Sequence, residues 1–306
     1  MVSDSCDKGG TVLLLVDVQN DFHPGGSLAI ESANCDAVRI TKLLKSGKNK
    51  IDHIVATMDS HHKLHIAHPG FWVSGADDET HPDPFTLISS EDVAVGKWKP
   101  SKKIKTKKVD EGNITQLDPK LFDGYDDVID TELNTVDLTK YVQEYTRRLE
   151  QKGKFQLCIW PEHCLIGGNG HNVVKHVWDE IQEWSLATGG QVHWVHKGQH
   201  LLTEMYSALS AEVPVSKSTS FNHALFEKLR KSDKILVAGQ ALSHCVNYTV
   251  RDIVDNFSQE DRSKICLLID CCSSVPGFES ASEVFLEYLQ KNGVRICKAE
   301  EAFDRC

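Results

Sequence analysis

The sequence contains one stretch in which a strand passes directly into a helix, Val237-Ala238-Gly239-Gln240-Ala241-Leu242-Ser243-His244-Cys245-Val246. The apolar run that ends at Ala238 predicts a buried strand, Gly239 interrupts it, and Ser243 is a residue type that caps helix N-termini. This pattern places Cys245 in the first turn of a helix. We expect the helix dipole to lower the pKa of this thiol and favour the thiolate. Because the chain has 10 cysteines and most cysteines are packing residues, Cys245 becomes a candidate nucleophile only if reactive partners lie nearby.

Outward from this stretch, apolar runs alternate with amphipathic segments over most of the chain. The runs at 11–16, 51–58, 155–160, 192–196, 235–238 and 265–269 predict strands, and the segments 34–44, 138–149, 173–184, 203–212, 222–231 and 281–292 predict helices. This alternation predicts an α/β fold, a three-layer sandwich with a central parallel sheet. Residues 75–154 interrupt the pattern. We therefore expect a single domain over 1–306, with an insertion or lid at about 75–154.

The composition is that of a globular protein and excludes several classes of function. Of the 306 residues, 40% are hydrophobic and 25% are charged. The net charge of −10 argues against a nucleic-acid or anionic-membrane partner. No apolar run approaches the roughly 18 residues of a membrane span, and the polar N-terminus has no signal core. Since the cysteines are scattered, we expect a reducing compartment and a cytoplasmic location. The basic run 97–108, close to the acidic stretch 123–132, predicts a solvated loop.

Five reactive side chains fall at, or just beyond, the carboxyl ends of predicted strands: Asp17, Asp59, His163, Lys197 and Cys245. In open parallel sheets, ligands bind at this edge. Each residue alone is more often structural, as a loop-fixing carboxylate, a salt-bridged lysine or a hydrogen-bonded histidine. Their coincidence predicts a functional site there.

Three of the polar residues form a candidate set of metal ligands. Asp59, His61 and His163 supply one carboxylate and two imidazoles, a set that leaves positions on a divalent ion open for water and substrate. Zinc, iron and manganese all suit these donors. His65 and His68 lie in the loop that follows Asp59, and whether either adds a ligand stays open.

The motifs resemble those of one superfamily, the isochorismatase-like cysteine hydrolases, whose opening motif is similar to Leu14-Leu15-Val16-Asp17-Val18-Gln19-Asn20-Asp21-Phe22 with Pro24-Gly25-Gly26. The nicotinamidases of this superfamily have metal-binding segments similar to Asp59-Ser60-His61 and Trp160-Pro161-Glu162-His163-Cys164. They also have a catalytic-lysine segment similar to His196-Lys197-Gly198 and a nucleophile segment similar to 239–246. The resemblance covers most of the chain except about 75–154. It implies the isochorismatase-like hydrolase fold.

The resemblance also implies an activity and a set of roles. Asp17, Lys197 and Cys245 would form the catalytic triad, with the backbone N–H groups of Ala241 and Cys245 as the oxyanion hole. Phe22 and Trp160 would hold a pyridine ring, although plain core packing is the alternative for both. The implied reaction is the metal-dependent hydrolysis of nicotinamide to nicotinate and ammonia through a cysteine thioester, a step of pyridine nucleotide (NAD) salvage.

Two other functions stay open at this point. A metal-independent cysteine amidase of the same superfamily, acting on a carbamoyl or ureido compound, would have no evident reason to keep the metal set. A non-catalytic binding protein is disfavoured because the whole triad is present. The long segment 75–154 and the polar Gln240 depart from the family pattern and leave the exact amide open. We expect a small-molecule amide substrate and no nucleic-acid or membrane partner, while a homo-oligomer is compatible with the sequence.

Overall fold

The computed structural model describes residues 9–104, 117–122, 125–130, 135–151 and 155–304. Its strands are β1 Thr11–Val16, β2 His53–Asp59, β3 Trp72–Ser74, β4 Leu87–Ile88, β5 Trp98–Pro100, β6 Ile129–Asp130, β7 Thr135–Val136, β8 Leu157–Cys158, β9 His193–Lys197, β10 Lys234–Gly239, β11 Ile265–Leu268 and β12 Arg295–Cys297. Its α-helices are α1 Ala33–Gly47, α2 Ser90–Ala94, α3 Tyr125–Val128, α4 Leu138–Gln151, α5 Lys175–Thr188, α6 His223–Lys231, α7 Cys245–Asn256 and α8 Glu279–Lys291.

Six of these strands form one parallel sheet in the order β12-β11-β10-β1-β2-β9. In the centre, β1 pairs with β10 so that Val16 is opposite Gly239. At one edge, β2 pairs with β9 so that Asp59 is opposite Lys197. The carboxyl ends of β1, β2, β9 and β10 therefore meet at one edge of the sheet, as the parallel arrangement requires.

Helices cover both faces of the sheet because β1 is apolar on both sides. Leu13 and Leu15 belong to a core that contains residues of α1 and α5, whereas Val12 and Leu14 belong to a larger core shared with α6, α7 and α8. Alternate residues of a strand point to opposite faces, so a continuous apolar run requires two helical layers. The predicted three-layer α/β fold is confirmed. In the described part of the chain, no helix combines the length and the apolar character needed to cross a membrane.

The predicted strand 155–160 is wrong in both extent and place. Only Leu157 and Cys158 form a strand, β8, which pairs antiparallel with β4 outside the central sheet. The backbone N–H groups that follow β8 bind other loops: that of Ile159 donates to the carbonyl of Thr86, and that of Trp160 donates to the carbonyl of Ala67. The segment that leads to His163 is thus held by loop contacts, so His163 approaches the sheet edge from outside the sheet.

The helix predicted over 203–212 is also wrong. This stretch is irregular and almost entirely buried, so the apolar spacing did not mark an amphipathic face. Side chains bind the backbone N–H groups that a helix would have used: Met205 N–H donates to the carboxylate of Glu204, and Ala208 N–H donates to the hydroxyl of Thr249. Such local and tertiary side-chain bonds compete with helix formation.

The long segment at 75–154 contributes to the main core. Tyr141, Val142, Tyr145 and Leu149 of α4 are buried in the larger of the two cores. The basic run at 97–108 is described only up to 104, and its described lysines Lys97 and Lys102 form ion pairs with aspartates. The domain assignment itself, including the lid interpretation, stays a prediction.

Gly239 is the position where the sheet tolerates least change. It has a φ of +122°, and a Cβ there would lie 1.9 Å from the carbonyl oxygen of Val16 on the neighbouring strand. We predict that Gly239→Ala loses more than about 3 kcal/mol of unfolding free energy, because the strands must separate. Gly277 is a matched control with a φ of +85° and open space around a Cβ. Gly277→Ala should lose about 1–2 kcal/mol through backbone strain alone. Equal losses in urea unfolding would contradict this account.

Candidate active site

Asp17 follows β1 directly and is completely buried. Its φ of +45° turns the chain sharply at the end of the strand. Its N–H donates to the hydroxyl of Thr57 (3.1 Å), and that hydroxyl donates to Oδ1 of the same aspartate. Both contacts come from β2, so the carboxylate is fixed between the two strands. Oδ2 is left to face Lys197, whose Nζ lies 2.9 Å away.

Lys197 ends β9 and joins four groups in the buried centre of the site. Its Nζ lies 2.9 Å from Asp17 Oδ2, 3.1 Å from Asp59 Oδ1, 3.3 Å from the carbonyl of Met205 and 3.4 Å from Sγ of Cys245. The side chain is fully buried. The structure thus brings Asp17, Lys197 and Cys245 together, with the lysine also contacting Asp59.

Cys245 is the first residue of α7, as the sequence predicts, but Ser243 does not cap the helix. The N-cap residue is His244, without a side-chain cap hydrogen bond. The Ser243 hydroxyl instead lies 2.9 Å from Nδ1 of His244 and accepts the N–H of Val275 (3.1 Å). Ser243 therefore links the turn that precedes Cys245 to the loop that contains Val275.

The turn between β10 and α7 leaves two backbone N–H groups beside the thiol. In the described part of the chain, those of Ala241 and Cys245 donate to no protein acceptor. The peptide bond Gln240–Ala241 is cis. The Gln240 side chain points away from the site, donating to Asp36 (2.9 Å) and accepting the N–H of Ser273 (3.3 Å). The side-chain amide of Gln240 thus stabilises the turn through these two hydrogen bonds.

Asp59, His61 and His163 form a compact buried cluster next to Lys197. Oδ2 of Asp59 lies 3.0 Å from Nε2 of His61 and 3.1 Å from Nε2 of His163. The three potential ligand atoms lie within 4.8 Å of one another. Gly198 backs this cluster closely, since a Cβ there would lie 2.7 Å from the His61 ring.

The tautomers of the two histidines favour a cation in this cluster. Nδ1 of His61 lies 3.0 Å from the carbonyl of Gly198, and Nδ1 of His163 lies 2.8 Å from that of Pro161. A carbonyl only accepts, so each Nδ1 carries a proton and each Nε2 is directed towards Asp59. Each Nε2 lies about 3 Å from Oδ2 of Asp59, and such a contact requires a proton or a metal ion between the two atoms. The donor set and its outer hydrogen bonds fit a divalent metal.

His65 and His68, the two further histidines of the loop that follows Asp59, differ in the hydrogen bonds of their ring nitrogens. Both nitrogens of His65 meet backbone groups, the carbonyl of Thr203 (3.2 Å) and the N–H of Ala67 (3.3 Å). Nδ1 of His68 contacts the carbonyl of Lys63 (3.2 Å), but its buried Nε2 has no hydrogen-bond partner among the residues that the structure describes. Its ring centroid lies 5.1 Å from that of His61. His68 is thus the better additional ligand.

Reactive and aromatic residues share one small cavity with about 20 Å³ of free space, lined by Phe22, Leu28, Asp59, Trp160, His163, Glu204, Tyr206, Ala241, His244, Cys245 and Val275. Trp160 Nε1 donates to the hydroxyl of Tyr206 (2.9 Å), and its ring meets His244 edge to face. Sequence reasoning missed Glu204 and Tyr206 because they lay within the wrongly predicted helix. It missed His244 although the residue adjoins the nucleophile, which was an available signal.

Burial dominates the protonation of the triad. It raises the pKa of the Cys245 thiol well above its ordinary value; Lys197 lowers that pKa, while Asp17 and Asp59 raise it further. The expectation of a lowered thiol pKa is therefore wrong for this structure, because desolvation outweighs the helix terminus. Burial also raises the pKa of Asp17 against the opposing effect of Lys197. The thiol thus keeps its proton, next to a carboxylate whose proton affinity is enhanced.

The charges around Asp59 act in the opposite direction. Burial alone would raise its pKa, but His61 and Lys197 outweigh that effect and hold the pKa well below its ordinary value. Burial alone would lower the pKa of Lys197, but Asp17 and Asp59 raise it well above the ordinary value. Both shifts favour the charged forms, the Lys197 ammonium and the Asp59 carboxylate.

No family model and no curated protein sequence matches this chain. Among solved structures, it is similar to a nicotinamidase/pyrazinamidase of Acinetobacter baumannii, with a TM-score of 0.57 and 20% identity over 96% of this chain and 99% of that one. Similar values relate it to the yeast nicotinamidase Pnc1p bound to the inhibitor nicotinaldehyde, with a TM-score of 0.56 and 17% identity over 94% of this chain and 99% of that one. The PnC1 of L. infantum in complex with nicotinate gives 0.51 and 18% over 96% and 94%. At such identities the likeness shows a shared fold.

The raised pKa of the Cys245 thiol predicts how the free protein reacts with iodoacetamide. The thiolate is the reactive form, so alkylation of Cys245 should keep accelerating as pH rises from 7 through 9 and above. Peptide-resolved mass spectrometry over this range measures it. Cys35 is an exposed free cysteine and controls for reagent decay. A rate for Cys245 that reaches its plateau below pH 7 would show a preformed thiolate and contradict the prediction.

Proposed function

We propose that this chain is a metal-dependent cysteine amidohydrolase that converts nicotinamide to nicotinate and ammonia. The observation that carries the proposal is the position of Lys197, whose Nζ contacts Asp17, Asp59 and Cys245 at once. A nucleophile with its proton acceptor and a candidate metal cluster therefore lie within one buried unit.

The contacts support a thioester mechanism. Sγ of Cys245 attacks the amide carbonyl carbon while its proton passes to Asp17, whose raised pKa suits a proton acceptor. Lys197 stabilises both anions as they form. Asp17 then gives the proton to the departing nitrogen, and ammonia leaves. A water molecule, deprotonated by Asp17, attacks the carbonyl carbon of the thioester. The carbon–sulfur bond then breaks, Asp17 returns the proton to Sγ of Cys245, and the carboxylic acid is released.

The negative charge that develops on the carbonyl oxygen has donors available. The N–H groups of Ala241 and Cys245 point to no protein acceptor, and Cys245 begins a helix of 12 residues whose dipole favours an anion at this end. Losing one such donor typically costs about 100-fold or more in kcat. We assign the oxyanion hole to these two groups.

Asp59, His61 and His163 would hold one divalent ion, with zinc, iron and manganese as suitable metals. Such an ion supplies a Lewis acid that binds a pyridine nitrogen. Phe22 and Trp160 line the same cavity as His163 and Cys245, and Tyr206 orients the Trp160 ring. These rings would hold the pyridine between the ion site and the thiol. Since the cavity has room for only about one water molecule, a wall side chain must move when the ring enters.

The structural neighbours support this choice of substrate. The yeast nicotinamidase is described with nicotinaldehyde and the L. infantum PnC1 with nicotinate, and both ligands share the pyridine ring of nicotinamide. The fold, the order of the motifs and the site geometry are all compatible with the same reaction in this chain.

We predict that the purified protein contains about one divalent ion per chain and that His163→Ala loses most of it. His65→Ala is the matched control, because His65 lies in the same loop as His61 and its ring is close to that of His61, but both of its nitrogens meet backbone groups. Elemental analysis measures both, with circular dichroism to verify the fold. Undiminished metal in the His163 variant would remove this residue from the ligand set.

Ammonia release from three amides tests the substrate. Nicotinamide and pyrazinamide carry a ring nitrogen at the same position and should both react, whereas benzamide lacks it and should react at least 100-fold more slowly. Cys245→Ala should abolish all turnover. Benzamide turnover as fast as that of nicotinamide would favour the metal-independent amidase instead. Residual amidase activity in the Cys245 variant would exclude the thioester mechanism.

A further inference from the structure

Glu204 is a buried carboxylate that the mechanism does not use. The residue is 2% exposed, and its Oε1 accepts the N–H of Met205 (2.9 Å). Its Oε2 has no hydrogen-bond partner in the described part of the chain. The backbone N–H of Glu204 donates to the hydroxyl of Tyr145 (3.1 Å), so the residue is held from α4. An unpaired buried carboxylate oxygen is costly, and a site that retains one requires an explanation.

The position of Glu204 relates it to the ion cluster. It lines the same cavity as Asp59, His163 and Cys245. Its carboxylate is not part of the compact ligand group of Asp59, His61 and His163. Glu204 thus shares a cavity with two members of the cluster without being one of its three close ligands.

The carboxylates and the ammonium around the cavity carry a formal excess of negative charge unless a cation is bound. Asp59 and Glu204 line the cavity, and Asp17 and Asp59 contact Lys197, so three carboxylates lie in this region. One ammonium, that of Lys197, opposes them. Uncompensated charge in a buried site is unfavourable because the ions lose their hydration. A divalent cation would compensate for the formal excess of two negative charges.

We propose that Glu204 is a positioning residue of the ion site, whose charge and unpaired oxygen raise the affinity of the Asp59–His61–His163 cluster for a divalent cation from across the cavity. This inference rests on the metal site of the proposed function. It explains why a second carboxylate, besides that of Asp59, is retained in the wall of this small cavity. Outer partners of metal ligands typically contribute 10- to 100-fold to metal affinity.

The test measures zinc affinity directly, without turnover. Metal-stripped protein competes with a chromophoric chelator for Zn²⁺, which gives a Kd for the wild type and each variant. Glu204→Gln removes the charge at nearly constant volume and should weaken zinc binding about 10- to 100-fold. Glu204→Asp keeps the charge and should retain affinity within about fivefold of the wild type. The Glu204→Asp variant also keeps the test decisive if Glu204→Gln does not fold.

Glu212 provides the matched control. It is buried nearby, and its carboxylate accepts the N–H of Tyr206 (3.4 Å). Glu212→Gln should change the zinc Kd less than about threefold. Equal zinc affinity in wild type and Glu204→Gln would overturn the inference, as would equal weakening by the Glu204 and Glu212 changes. If the wild type itself binds no zinc, or binds it independently of His163, the metal site of the proposed function fails instead.

Discussion

The buried ammonium of Lys197 is the group on which the rest of the site depends. A lysine inside a protein loses its hydration and is retained in the charged form only if anions replace the water. Asp17 and Asp59 do so from two different strands, at 2.9 and 3.1 Å. Removing either carboxylate leaves the lysine undercompensated. The two aspartates are therefore coupled through the lysine, although they serve different halves of the site.

This coupling follows from the sheet register. Asp59 and Lys197 are opposite one another on β2 and β9, and Asp17 directly follows Val16, which is opposite Gly239 on β10. A slip of one residue between neighbouring strands would turn one of these side chains to the other face of the sheet. The hydrophobic pattern that sets the register thus also sets the distances among the reactive groups. The same strand register therefore determines both the packing of the core and the geometry of the site.

Much of this arrangement could be predicted from sequence, because parallel strands bring their carboxyl ends to a common edge. The placement of Asp17, Asp59, Lys197 and Cys245 at that edge follows from short apolar runs alone. His163 also reaches the site, but from a loop held by backbone bonds to Ala67 and Thr86, which no periodicity encodes. Glu204 and Tyr206 lie in a buried irregular stretch with helical spacing. The protonation of Cys245 could not be predicted because it depends on desolvation by residues distant in sequence.

The contacts of α4 with this irregular stretch extend the influence of the long segment at 75–154. The hydroxyl of Tyr141 donates to the carbonyl of Leu202, and that of Tyr145 accepts the N–H of Glu204. The carbonyl of Met205, one residue further on, contacts Lys197. Two phenol groups thus replace the helical hydrogen bonds that residues 202–205 do not form. The evolutionary consequence is that α4 and this stretch cannot diverge independently: a change of either tyrosine would have to be accompanied by a new way of holding the wall of the cavity.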